Sequence, residues 1–339
     1  MTKRILVTGG AGFIGSNLVN YLQKKYPSYK IAVYDKLTYA GNIRNLDPLF
    51  FNNNSQYTFI NACVSDREKL SSAIRNCDIV VHLASESHVS NSLAQADDFV
   101  NTNVFGTMVL CEEIVKFPVE KFILISSSEV YGTAEIKPMD ETHPLNPASP
   151  YAGSKTGQDR IAFSYFYSFD IPLIILRPFN QFGSHQHIEK VIPKFITNLL
   201  NDKVIHVENK GTQTRDWLYV EDLCRAIDRT IHYKSNDLFG EAINIGSRRE
   251  VSILEMAESI CEILDKDAEK HIKYGRDRCG QIMSHIASID KANKLLDWQP
   301  MIDIYSGLKK TIAWYHDNPS WYNSLRFPTL KITQTRGGN

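Results

Sequence analysis

No charge of either sign is in excess: 38 Lys and Arg balance 38 Asp and Glu over 339 residues. A chain without a basic surplus has no bulk attraction for nucleic acid or for an anionic membrane surface. Cysteine is scarce, and the six residues Cys63, Cys77, Cys111, Cys224, Cys261 and Cys279 form no CxxC pair. That spacing suggests neither a zinc site nor a disulfide framework, and it reads as reduced thiols in a cytosol. No apolar run approaches the roughly 20 residues a membrane span needs, and no signal-like apolar region precedes the strand that begins at Ile5. Repeats and low-complexity tracts are missing as well. The expectation is a soluble, cytoplasmic protein with neither nucleic acid nor membrane as a partner, long enough to bury a substantial core.

What is present is alternation. Short β-branched runs (RILVT, KIAVYD, CDIVVHLA, KFILISS, IPLIILRP) are separated by helix-like stretches at 12–26, 94–116 and 151–169. Continuous apolar strands between helices predict a parallel sheet covered on both faces, the doubly wound α/β (Rossmann) class. After Pro178 the alternation breaks, apart from a strand-like EAINIG at 241–246. The expected organisation is a dinucleotide-binding domain over 1–180 with an interleaved return around 216–246, and a smaller C-terminal α/β lobe over 181–330. The final ITQTRGGN is polar and expected to fray.

TGGAGFIG follows the first strand and opens the first helix. Gly9, Gly12 and Gly15 make GxxGxxG, which lets a tight turn form and lets backbone N–H groups reach a pyrophosphate at the helix N-terminus. KIAVYD ends in Asp35, 20 residues beyond Gly15. That carboxylate can accept from a ribose diol and would repel a 2′-phosphate, which favours NAD over NADP; Lys36 beside it pulls the other way.

YAGSK places Tyr151 and Lys155 four apart, on one face of a helix. A tyrosine serves as acid or base near neutral pH only if its phenolate is stabilised, and a lysine one turn away supplies positive charge. Ser127 comes 24 residues earlier at the C-terminal end of a strand, where ligands collect in open α/β sheets. Its hydroxyl can bond the oxygen that Tyr151 deprotonates. His185 and His187 have no third ligand in sequence, so no metal is expected and they read as surface or substrate-contact residues.

The strings YDKLTYAGN, ASESHVSNS, NTNVFGT, SEVYG, SPYAGSK, EKVIP and TRDWLYVEDLCRA carry a resemblance over about residues 3–315. The chain resembles the extended short-chain dehydrogenase/reductases that act on nucleotide sugars, and among them the nucleoside-diphosphate-hexose 4,6-dehydratases of the dTDP-glucose 4,6-dehydratase type. The resemblance implies that Ser127, Tyr151 and Lys155 are the catalytic triad, with serine where relatives usually carry threonine. NAD would be held by the glycine turn with Phe13 and Ile14, by Asp35 and Lys36, by Leu83 and Ala84, and by Tyr151 and Lys155. Ser87, His88, Asn180, Glu189, Lys190, Arg215 and Arg278 would bind a nucleoside-diphosphate sugar, with the two arginines clamping phosphate. The family implies a homodimer paired through helices such as 94–116 and 151–169.

The resemblance also gives SEVYG a task. A ketone formed at C4 of the sugar acidifies the C5 proton, and Glu129, on the same face as Ser127 if the strand continues, would be the base that removes it. Ser128 departs from the aspartate usual in dTDP-glucose enzymes, and serine is a poor acid at pH 7. Glu129 would then serve both proton steps, with Ser128 relaying or positioning. GDP-mannose and GDP-N-acetylglucosamine dehydratases show Ser-Glu here, and so do UDP-glucuronate decarboxylases. A nucleotide-sugar 4-epimerase or such a decarboxylase stays open as the alternative. Cys63 stands where relatives hold an aspartate facing the adenine, and Cys279 replaces a proline beside Arg278.

Overall fold

The apolar runs sort by parity. In the run 121–125, Ile123 and Ile125 enter one apolar cluster while Phe122 and Leu124 enter another. The same split separates Ile5 and Val7 from Leu6, and Ile174 and Leu176 from Leu173 and Ile175. Successive side chains of a strand point to opposite faces, so a strand apolar at every position is buried on both.

The computed structural model describes residues 2–51, 55–275 and 282–325; Arg278, Cys279 and the ITQTRGGN tail lie outside the described residues. In chain order the strands are β1 (Arg4–Thr8), β2 (Lys30–Asp35), β3 (Tyr57–Asn61), β4 (Ile79–His82), β5 (Lys121–Ile125), β6 (Leu173–Pro178), β7 (Asn180–Phe182), β8 (Ile205–Glu208), β9 (Thr214–Tyr219), β10 (Ala242–Ile245), β11 (Glu250–Ser252) and β12 (Ile272–Gly275). Seven of them form a parallel sheet in the order β10-β6-β5-β4-β1-β2-β3. Strand order reverses between β1 and β4, and the crevice beyond the C-terminal ends of those strands is where such sheets take ligands.

One face of the sheet is covered by the helices Phe13–Lys25 and Val220–His232, which contribute Leu18, Leu22, Leu223 and Ile227 to a common core. The other carries Arg67–Ile74, Gly106–Lys116 and Pro150–Phe169, with Leu70, Leu110, Ile114 and Ala162. A separate core around Phe195, Ile260, Leu308 and Tyr315 belongs to the smaller lobe, whose strands pair as β11-β9-β7 and β12-β8. The chain leaves the sheet after β6, builds β7 to β9, and returns through Val220–His232 to add β10.

The continuous helix expected over 94–116 is instead a series. Val89–Ala94 ends at an extended Gln95, a short turn Asp97–Phe99 leads into the wider π-helical segment Val100–Phe105, and Gly106–Lys116 completes it. Tertiary contacts account for the irregularity. Asn103 in the wide segment turns its side chain inward, accepting from Glu86 N at 2.9 Å and donating to Ser154 Oγ at 2.8 Å. Gly106 presses on Val64, whose methyl carbon would lie 2.5 Å from any Cβ there.

Candidate active site

The glycine turn is built as its spacing requires. Gly9 has φ +69°, and a Cβ on it would lie 2.6 Å from Ala84 N. A Cβ on Gly15 would lie 2.1 Å from Gly9 O, so the turn and the first helix pack backbone to backbone. Gly12 caps the helix with no side-chain bond to its free N–H groups. Those donors, with the dipole behind them, are suited to a pyrophosphate. Asp35 ends β2 almost fully buried; its oxygens accept from Ala11 N at 2.9 Å and Leu37 N at 2.8 Å. Burial pushes its pKa up against those two donors, and a carboxylate has further lone pairs for a ribose diol. The residues present therefore fit a dinucleotide.

A cleft of about 520 Å³ runs from this turn to the smaller lobe. Phe13, Ile14, Lys36, Leu83, Ala84 and Cys63 line it at the turn end, Ser127, Ser128, Glu129, Tyr151 and Lys155 at the middle strands, and Ser87, His88, Asn180, Glu189, Lys190 and Arg215 towards the lobe. Arg278 lies outside the described residues. His187 also lines the cleft, whereas His185 does not: its ring lies 3.2 Å from Ser16 Oγ and packs edge-on against Trp314. Among the described residues, no group of three His, Cys, Asp or Glu side chains could hold a metal ion.

Glu129 reaches the cleft by a different route from the one its spacing implies. β5 stops at Ile125, and Ser127 caps a short 3₁₀ turn, Ser128–Tyr131, accepting from Glu129 N at 3.2 Å. Strand alternation therefore does not set its direction; the turn does. Ser127 and Glu129 both stand near enough to the Tyr151 phenol to act on its proton. Burial pushes Tyr151 up to about 12, while Ser127 pulls it down and Glu129 pushes it up. Ser128 Oγ sits 3.4 Å from Nδ1 of the buried His285, whose Nε2 is 2.6 Å from Gly132 O.

Tyr151 and Lys155 lie in the first turns of Pro150–Phe169, which Ser149 caps by accepting from Ala152 N at 3.1 Å. The lysine ammonium donates to Ile125 O at 2.9 Å and to Gln158 Oε1. Burial takes its pKa down to about 7, against a smaller opposing pull from Asp159. Tyr39 donates to Glu189 Oε1 at 2.9 Å, and Lys190 donates to Ser87 O at 2.8 Å. Burial raises the Glu189 pKa. Among the described residues, buried oxygens of Thr102, Asn180, Gln181 and Gln186 have no hydrogen-bond partner, and all four residues line the cleft. A ligand or an ordered water can complete the bonding of such atoms; Gln23 and Asp228, which do not line the cleft, also carry them. Sequence reasoning missed Gln158, although it lies seven residues beyond Tyr151 and so on the same helical face. It also missed Gln181 and Gln186, which carry no sequence signal.

Fold and site together define an extended short-chain dehydrogenase/reductase. Residues 6–311 match the sequence model described as GDP-mannose 4,6 dehydratase. A dTDP-D-glucose 4,6-dehydratase of Bos taurus is 37% identical over 330 residues, covering 95% of this chain and 91% of that one. The solved dTDP-glucose 4,6-dehydratase of Streptomyces venezuelae, with NAD bound, superposes with a TM-score of 0.90 at 35% identity, covering 95% of this chain and all of the other. A UDP-glucuronic acid 4-epimerase of Bacillus cereus, also with NAD, gives a TM-score of 0.86 at 30% identity, covering 93% and 99%. The chain belongs to the GDP-mannose 4,6-dehydratase family of nucleotide-sugar enzymes.

Proposed function

We propose that the protein is a nucleotide-sugar 4,6-dehydratase, a hydro-lyase that converts a nucleoside-diphosphate hexose to its 4-keto-6-deoxy form. The observation that carries this reading is the convergence of Ser127, Glu129 and Tyr151 at one cleft, with the phenol under the influence of both the serine hydroxyl and the carboxylate. NAD, when bound at the glycine turn and Asp35, supplies the acceptor that takes the C4 hydrogen with its electron pair and gives it back at C6.

The remaining steps belong to the chain. Tyr151 takes the 4-hydroxyl proton while Ser127 holds the same oxygen, and the Lys155 charge favours the phenolate. The C4 ketone acidifies C5. Glu129 takes that proton and passes it to the departing 6-hydroxyl, which leaves as water; Ser128 positions the group. A proton equal to the one taken from the 4-hydroxyl returns to C5, so the enzyme ends unchanged. Asn180, with its unsatisfied oxygen, and Ser87, His88, Glu189, Lys190 and Arg215 hold the nucleotide sugar. Residues 1–180 with the 216–246 return serve NAD, and 181–330 the sugar nucleotide, whether dTDP-, UDP- or GDP-linked.

The same reading places the enzyme in the cytoplasm as a homodimer. Val100, Phe105 and Phe169 are exposed on the helices 97–116 and Pro150–Phe169, and open space lies over Gly153, which suits helix pairing between copies. Among the described residues, no helix is long and apolar enough to cross a membrane.

The test is incubation with dTDP-glucose, UDP-glucose, GDP-mannose and UDP-N-acetylglucosamine, followed by mass analysis. Loss of one water from any of them supports the dehydratase. A C4 epimer without loss of water, or carbon dioxide from UDP-glucuronate, would replace it.

A further inference from the structure

Behind the catalytic face lies a buried polar chain that neither the glycine turn nor the SPYAGSK string discloses. Lys155 donates to Gln158 Oε1, which turns the other end of that amide, Nε2, towards Thr107 Oγ1 at 3.0 Å. Thr107 spends its own hydrogen on Asn103 O at 2.7 Å, so its hydroxyl oxygen accepts from Gln158. His82 Nε2 lies 2.8 Å from the same oxygen and 3.2 Å from Gln158 Nε2. Its Nδ1 shares a hydrogen bond of 2.6 Å with Thr8 Oγ1. Thr8 is the last residue of β1, next to Gly9. Gln158, His82, Thr107 and Thr8 are all fully buried.

Every partner of the lysine in this chain is uncharged. The carboxylate whose charge reaches it, Asp159, has both oxygens engaged by Arg177, Arg160 and Ser126. We propose that Gln158 is the positioning residue of Lys155: oriented by Thr107 and backed by His82, it holds the ammonium through a neutral acceptor and leaves its charge unneutralised for Tyr151. The proposal rests on the reading of Tyr151 as the base and Lys155 as its charge partner. A carboxylate in place of Gln158 would hold the lysine as firmly and cancel its field; an apolar side chain would do neither.

Other groups near the pair do not supply this control. Tyr151 and Asp159 share its helix, His82 faces it from β4, Glu129 from the turn after β5, and Arg177 from β6. Asp159 and Arg177 neutralise each other, and burial keeps His82 neutral with a pKa of about 3. Lys155, Tyr151 and Glu129 are the groups left to set the pH response.

The test compares Gln158→Met and Gln158→Glu with the parent in two measurements against pH: single-turnover C4 oxidation, and calorimetric titration with NAD+. Met removes an acceptor of the ammonium, so the alkaline limb should move down by roughly one to two pH units. Glu should move it up by a similar amount. Opposite shifts in the two variants support the proposal, because a merely structural role lowers amplitude without moving the limbs. Limbs unmoved in both, with NAD+ affinity and melting temperature at parental values, would overturn it. Should the Met variant not fold, the direction of the Glu shift decides. Calorimetry needs no turnover, so it judges Gln158 even if no nucleotide sugar is oxidised and the dehydratase reading falls.

Discussion

Arg177 and Asp159 meet inside the protein at two points, Nε to Oδ2 at 2.9 Å and the second guanidinium nitrogen to Oδ1 at 3.0 Å, both residues buried. The pair fastens the helix that carries Tyr151 and Lys155 to β6, one turn beyond the lysine. Arg177 also donates to the Tyr131 phenol at 2.9 Å, which donates to Asn244 Oδ1 on β10 at 2.8 Å. One buried network thus ties the catalytic helix to the returning strand. Burial works against the Asp159 carboxylate, but the Arg177 bonds hold its pKa below the usual value. Asp159→Ala strands a buried guanidinium and should cost about 3–5 kcal/mol in denaturant unfolding, with the helix geometry, and so activity, lost in step. A cost below about 1 kcal/mol would show that the pair does not anchor the helix.

Glu129→Gln keeps the shape of the 3₁₀ turn and removes the base. C4 oxidation should proceed while elimination slows by roughly 10²–10⁴-fold. Stopped-flow absorbance would then show reduced nicotinamide accumulating and persisting. Product formed at the parental rate would take Glu129 out of the reaction.

Tyr151→Phe removes the oxygen that receives the 4-hydroxyl proton. Reduction of NAD by the sugar should fall by roughly 10²–10⁴-fold, while NAD affinity in calorimetry stays near parental. Equal loss of affinity and rate would mean that the phenol holds the cofactor and does not perform the proton step.

Asp35→Ala removes the acceptor for Ala11 N and Leu37 N and the repulsion towards a 2′-phosphate. NAD+ affinity should fall by roughly tenfold or more, and the preference for NAD+ over NADP+ should narrow. Paired calorimetric titrations read both, and an unchanged preference would assign the choice to other residues.

Two histidines should shape acid stability. His82 and His285 are fully buried, and burial lowers their pKa to about 3 and about 4. The unfolded chain binds their protons near pH 6.5 and the folded chain does not, so it holds more protons, and stability falls as pH drops from about 6.5 towards 4. Each contributes about 1.4 kcal/mol per pH unit in that window. Raised carboxylates such as Asp35 and Asp216 oppose this. A difference measurement is therefore needed: His285→Asn should flatten the acid limb by one histidine's share, and an identical slope would refute it.

Parity of apolar residues made the parallel sheet legible, because strand burial is a local pattern repeated along the chain. Gly9, Gly12, Gly15 and Asp35 were legible for a related reason: a tight turn and a strand end are short-range constraints. Glu129 was named, but its approach was not foreseen, since a strand that stops at Ile125 and a 3₁₀ turn look the same in sequence as a strand that goes on. The broken helix at 95–105 was likewise hidden, because the inward bonds of Asn103 come from partners 17 and 51 residues away.

By itself the order of amino acids determined a two-faced parallel sheet, a phosphate-suited turn and a helical Tyr-Lys pair, all of which follow from spacings of two to four residues. The tertiary structure alone decided what surrounds the lysine. Its acceptor Gln158 is oriented by Thr107 and backed by His82, brought together from two helices and a strand by packing across one face of the sheet. Charge and hydrogen bonding act through space over a few ångströms, and only the fold determines which residues come that close.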